Sequence, residues 1–152
     1  MRRLSPVLVV VALCSLLVGC GKDTKAANDY VDAVNRAQNQ FASTFDRLSG
    51  RINGTSTPEQ DQQTLDGFGQ AVYKVVGDLK AVKVPDKVKG LHNQLVSQIS
   101  AYGKEIDKAK QAFADDQPQA IVKAQADLVS AVTRVQSQIN TTISDINKKL
   151  RE

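Results

Sequence analysis

From Lys25 onward, apolar residues return every three or four positions, with polar residues between them. That spacing marks one face of an α-helix. Tyr30, Val34, Ala37, Phe41, Phe45, Leu48 and Ile52 form a first stripe, from about Lys25 to Arg51. A second stripe holds Leu65, Phe68, Val72, Val76, Leu79 and Val82. The third, Val88, Leu91, Leu95, Ile99, Tyr102, Ile106, Ala109 and Phe113, is a clean seam with coiled-coil heptad character. The fourth runs through Ile121, Leu128, Val132, Val135, Ile139, Ile143, Ile146 and Leu150.

Punctuation falls between the stripes. Gly50 and Gly54 close the first, where a left-handed cap needs no Cβ. Thr57-Pro58-Glu59-Gln60 opens the second as an N-cap, a proline in the first turn and the return half of a capping box. Val84-Pro85-Asp86 opens the third, which ends near Asp115, and Asp116-Gln117-Pro118-Gln119 opens the fourth. Lys148, Lys149 and Arg151 close the fourth, where cations suit the negative end of the helix dipole. Gly67, Gly69 and Gly77 weaken the second helix by about 1 kcal/mol each relative to Ala. Gly69 lies near the stripe and suits a close neighbour. Strict apolar-polar alternation is missing, so strands do not compete. The expected fold is all-α, an antiparallel up-down four-helix bundle over residues 25–152. A three-helix bundle with a loose second helix is the rival.

The first 20 residues follow another pattern. Met1-Arg2-Arg3 is charged, Val7 to Val18 is apolar, and everything after Cys20 turns polar at once. This is the layout of a secretory signal, and the run is short of the roughly 20 residues that span a bilayer. Its end, Leu17-Val18-Gly19-Cys20, resembles the lipobox of bacterial lipoproteins: an aliphatic residue, a permissive one, Gly or Ala, then Cys. The resemblance implies cleavage before Cys20 and a diacylglyceryl thioether on its sulfur, often with a further N-acyl chain. A thiol is the nucleophile suited to that linkage. Residues 1–19 are then the signal, 20–24 a lipidated linker, and the chain a membrane-held protein outside the cytoplasm, in the periplasm or at the cell surface. The Val84–His92 stretch is also similar to uncharacterised small helical lipoproteins of bacteria, which bring no activity with them.

Composition narrows the rest. Cys14 leaves with the signal and lipid occupies Cys20, so no disulfide is expected although the compartment permits one. Loss of Arg2 and Arg3 takes two from the formal net charge of +4, which is no nucleic-acid-binding balance. The up-down order brings the start of the first helix, the second turn and the end of the fourth helix to one end. That end collects Lys22, Lys25, Lys80, Lys83, Lys87, Lys89, Lys148, Lys149 and Arg151, nine bases against Asp23, Asp78, Asp86, Asp145 and Glu152. It is expected to face the membrane and rest on anionic headgroups. The far end is acidic.

Catalytic chemistry finds little footing. His92, the single histidine, flanks the third seam as a half-exposed structural residue, with no acid or nucleophile paired to it in sequence. Di-iron bundle sites need Glu-x-x-His, but position 89 is Lys and glutamate stands only at 59, 105 and 152. No zinc spacing, phosphate loop or nucleophile elbow is found. Neither catalytic residues nor a metal or cofactor is expected. The pattern predicts a non-enzymatic envelope module that binds or scaffolds a protein partner. The alternative is a carrier of a small apolar ligand or lipid, with the glycine-rich second helix as its mobile wall.

Overall fold

The computed structural model describes residues 22–49, 51, 56–114 and 118–152. Leu17, Val18, Gly19 and Cys20 lie outside them, as do Ile52, Gly50, Gly54 and the expected cap at Asp116. Four helices make the fold: α1 (Lys22–Ser49), α2 (Pro58–Lys80), α3 (Lys89–Ala114) and α4 (Pro118–Arg151), with a single 3₁₀ turn at Asp86–Val88 before α3. No strand occurs among the described residues. The all-α four-helix reading therefore holds, and the three-helix rival does not.

Helix α2 forms in spite of its glycines because both its start and its inner face are secured. The Thr57 amide donates to Gln60 Oε1 at 3.0 Å, and the Gln60 amide donates to Thr57 Oγ1 at 3.3 Å. This reciprocal box satisfies two amides that the first turn leaves without helical partners. Pro58 stands in the first turn, where its missing N–H costs nothing. Thr57 also holds the Glu59 carboxyl below its ordinary range by hydrogen bonding. Inward, α2 buries Leu65, Phe68, Val72, Val75, Val76 and Leu79. Helix α1 begins at Lys22, three residues earlier than its expected start at Lys25. Nothing between Lys22 and Lys25 is Gly or Pro, so no residue there opposes the helix.

Packing is heaviest between helices consecutive in the chain. The contacts across each pair run in opposite senses. Between α1 and α2, Lys74 donates to Gln40 at 3.2 Å, while Leu48 lies over Gly67. Between α2 and α3, Tyr73 donates to Asp107 at 2.5 Å, and Asp66 meets Lys110. Between α3 and α4, Thr142 donates to Gln98 at 3.1 Å, and Lys87, just before α3, reaches the Leu150 carbonyl at 3.0 Å.

Two apolar clusters fill the interior. The first joins Tyr30, Val34, Leu79, Val88, Leu95 and Ile146, among others, and the second joins Leu48, Leu65, Phe68, Val72, Ile106 and Phe113. Phe41 and Ile99 touch both and bridge the halves. Close approach falls at Gly67, beneath Leu48, and at Gly103, but not at Gly69 where it was expected. Gly69 has only an ordinary contact with Ile106, whereas a Cβ on Gly103 would lie 3.1 Å from the Tyr73 ring and 3.2 Å from Val72. Tyr73 is 44% exposed, yet its ring lies over Gly103 and its hydroxyl is tied to Asp107.

Two outcomes test this account by denaturant unfolding. Leu95→Ala, at a side chain 1% exposed, should cost about 2–5 kcal/mol through lost burial and a residual cavity. Thr57→Ala should cost about 1 kcal/mol by opening the capping box.

Candidate functional site

The end of the bundle where half of the basic residues after Cys20 gather is also where the helices are tied together by polar contacts. His92 is 4% exposed and Tyr30 1% exposed, so the expectation of a half-exposed histidine at the bundle edge is corrected. The ring turns inward because a partner waits there. The Tyr30 hydroxyl lies 3.2 Å from His92 Nδ1, with the rings edge-on at 5.7 Å between centroids. A second hydrogen bond joins the His92 ring to the backbone of Leu79. A carbonyl can only accept, so the ring donates to Leu79, while the sense of the Tyr30–Nδ1 hydrogen bond follows the tautomer of the ring. One imidazole thereby links α1, the end of α2 and the start of α3.

Burial sets the protonation of this pair. It pushes the Tyr30 hydroxyl up to about 12, so the phenol stays neutral and can donate. It also lowers His92 below its ordinary 6.5, partly offset by the Leu79 hydrogen bond. Both groups are occupied in holding helices. No carboxylate or nucleophile makes a described contact with the ring, and no group of three or more His, Cys, Asp or Glu is assembled among the described residues.

Around this pair stand the basic residues singled out from the sequence. Lys25, Lys80, Lys83, Lys87, Lys89, Lys148, Lys149 and Arg151 are all exposed, and Lys22 begins α1. The Lys87–Leu150 bond sets the turn between α2 and α3 beside the end of α4. The His92 contacts bring the early turns of α1 to the same end. The structure thus brings these residues together, but it does not leave them equivalent. Lys25 pairs with Asp29 at 2.8 Å, Lys89 with Asp86 at 2.5 Å, and Lys149 with Glu152 at 2.9 Å. Asp86 and Glu152 are held below the usual carboxylate range by those lysines.

The charge count from sequence left out two participants. Asp29 belongs to this end, and Lys74 takes up Asp78 at 2.6 Å. Both pairs have i,i+4 spacing, which was readable along the helix. The Tyr30–His92 contact spans 62 positions and had no local signal.

At the opposite end, α3 and α4 enclose an open groove of about 250 Å³. Ala109, Ala112, Ala120 and Ala124 line it, with Lys108 and Lys123 at its edges. Those lysines are already bonded to Glu105 and Asp127. No described helix is long and apolar enough to cross a membrane.

Fold and site define the chain as an all-α four-helix protein whose polar interior ties sit at a basic end. Compared with known proteins, it matches no protein family, no curated sequence and no solved structure.

The lowered His92 pKa has a consequence for stability. The unfolded chain takes up its proton near 6.5, before the folded one does. Stability should therefore be full above that value and fall as the pH is brought down from 7 to about 5. His92→Gln should flatten that slope in denaturant melts. An unchanged slope in the variant would show that the ring does not titrate out of the fold.

Proposed function

We propose that this chain is a lipid-anchored helical module of the bacterial cell envelope, held outside the cytoplasm through acyl chains on Cys20. It acts by binding or scaffolding a protein partner, without catalysis. The observation that carries the reading is the Leu17-Val18-Gly19-Cys20 box placed directly before the bundle. Helix α1 begins at Lys22, so almost no spacer separates the acylated residue from the folded part. A protein built this way keeps its basic end at the bilayer surface and presents the remainder of the rod to its surroundings.

Physical chemistry sets what the anchor must be. One acyl chain gives marginal, reversible binding, while two or more hold a protein stably. A diacylglyceryl group on Cys20 meets that requirement without a spanning helix. The non-catalytic part of the proposal is supported by the use of His92 and Tyr30 as ties between helices.

Metabolic labelling with palmitate, followed by membrane fractionation and intact mass, tests the reading. The unsubstituted chain should carry label, pellet with membranes and show acyl mass at Cys20. Cys20→Ser should lose the label entirely. An unmodified, freely soluble mature chain would overturn the proposal. An apolar molecule retained in a native mass spectrum of the processed chain would favour the carrier alternative instead.

A further inference from the structure

We propose that the basic end of the bundle is a contact surface for anionic phospholipid headgroups, carried mainly by Lys80, Lys83, Lys148 and Arg151. The proposal rests on the lipid-anchor reading for where this end sits, and it names the chemistry that the end meets there.

The helices themselves do not give this end its sign. The starts of α1 and α3 and the ends of α2 and α4 meet here, so two positive and two negative dipole ends oppose one another. Side chains decide. Lys25, Lys89 and Lys149 are each bonded to a carboxylate, and Asp78 is held by Lys74. Lys87 donates to the Leu150 carbonyl and forms no salt bridge with a described carboxylate. Lys80, Lys83, Lys148 and Arg151 are exposed and form no salt bridge with a described residue. Against these five cations stands Asp145, which forms no such pair, while Lys22 and Asp23 at the start of α1 cancel in formal charge.

The surface is also held in shape. Val88 is fully buried beneath the turn, and the Lys87–Leu150 bond pins that turn to α4. The cations therefore project from fixed backbone. They crowd the end of a rod instead of forming a stripe or groove along it. That footprint suits a flat charged sheet better than a strand of nucleic acid, which asks for a basic face or channel. The acidic far end does not interfere. Charges are screened within about 8 Å at physiological salt, while the 26 residues of α3 place the far end roughly 39 Å away.

Flotation of the chain beginning at Gly21 tests the surface without the anchor. Among the described residues the buried apolar core lies between Ala27 and Leu150, so this chain keeps all of it. Vesicles of phosphatidylcholine alone are compared with vesicles that also contain phosphatidylglycerol, at low salt. The chain should float with the anionic vesicles and stay behind with the neutral ones, and binding should fall as salt is added. Each free cation is expected to contribute roughly fivefold to the partition coefficient. Lys80→Gln, Lys83→Gln, Lys148→Gln and Arg151→Gln together should lower it by roughly 600-fold, the product of four such factors. Lys104→Gln with Lys108→Gln, away from this end, should leave it unchanged. Helix content by circular dichroism checks that the variants are folded, and the salt titration of the unsubstituted chain reports independently of them. Equal behaviour on both vesicles, salt-independent binding, or full binding by the folded quadruple variant would overturn the proposal. Acyl mass on Cys20 is a separate measurement, so either idea can fail while the other stands.

Discussion

One imidazole ring holds the architecture of the basic end. His92 shares a hydrogen bond with Tyr30 of α1, is hydrogen-bonded to the Leu79 backbone at the close of α2, and belongs to α3 itself. Apolar packing supplies most of the favourable free energy, but it is non-directional. It does not fix how far one helix slides along another. A buried polar group does, because each displaced partner leaves an unsatisfied donor or acceptor costing about 1–3 kcal/mol. Thr142 and Gln98 play the same part between α3 and α4. The bundle is thus greasy in bulk and aligned by a few polar contacts.

Much of the fold could be read in advance because its causes are local. The capping box at Thr57 and Gln60, the proline at position 58 and the stripe through Leu65, Phe68 and Val72 all act within a few residues. The same is true of the seam from Val88 to Phe113, whose members are buried or packed against the core. What escaped was set by distance in the chain. Nothing near His92 says that Tyr30 will meet it, so its burial was misjudged. Nothing near Gly103 says that Tyr73 will lie across it. A glycine's worth depends on what arrives from another helix, which is why Gly69 lacks the tight contact expected of it and Gly103 has one.

The candidate site was legible as a set of residues but not as a set of charges. Position along the helices was enough to gather Lys80, Lys83, Lys87, Lys148 and Arg151 at one end. Which lysines are neutralised depends on side-chain reach, as Asp29, Asp86 and Glu152 demonstrate. Exposed pairs of this kind add only about 0–1 kcal/mol to stability. Their weight lies elsewhere, in reducing the number of cations free to meet an outside partner. Along α3 and α4 the groove edges are neutralised in the same way.

The preference of each helix for its neighbour in the chain has a kinetic meaning. Loops between the helices are short, so most packing partners are close in sequence and the contact order is low. Helical domains of that kind reach the native state in about microseconds to milliseconds. With no cysteine after residue 20, the bundle waits on no oxidation step. A polypeptide delivered across a membrane as an extended thread would therefore curl up almost as soon as it emerged. Proteases and misassembly would have little time to act on it.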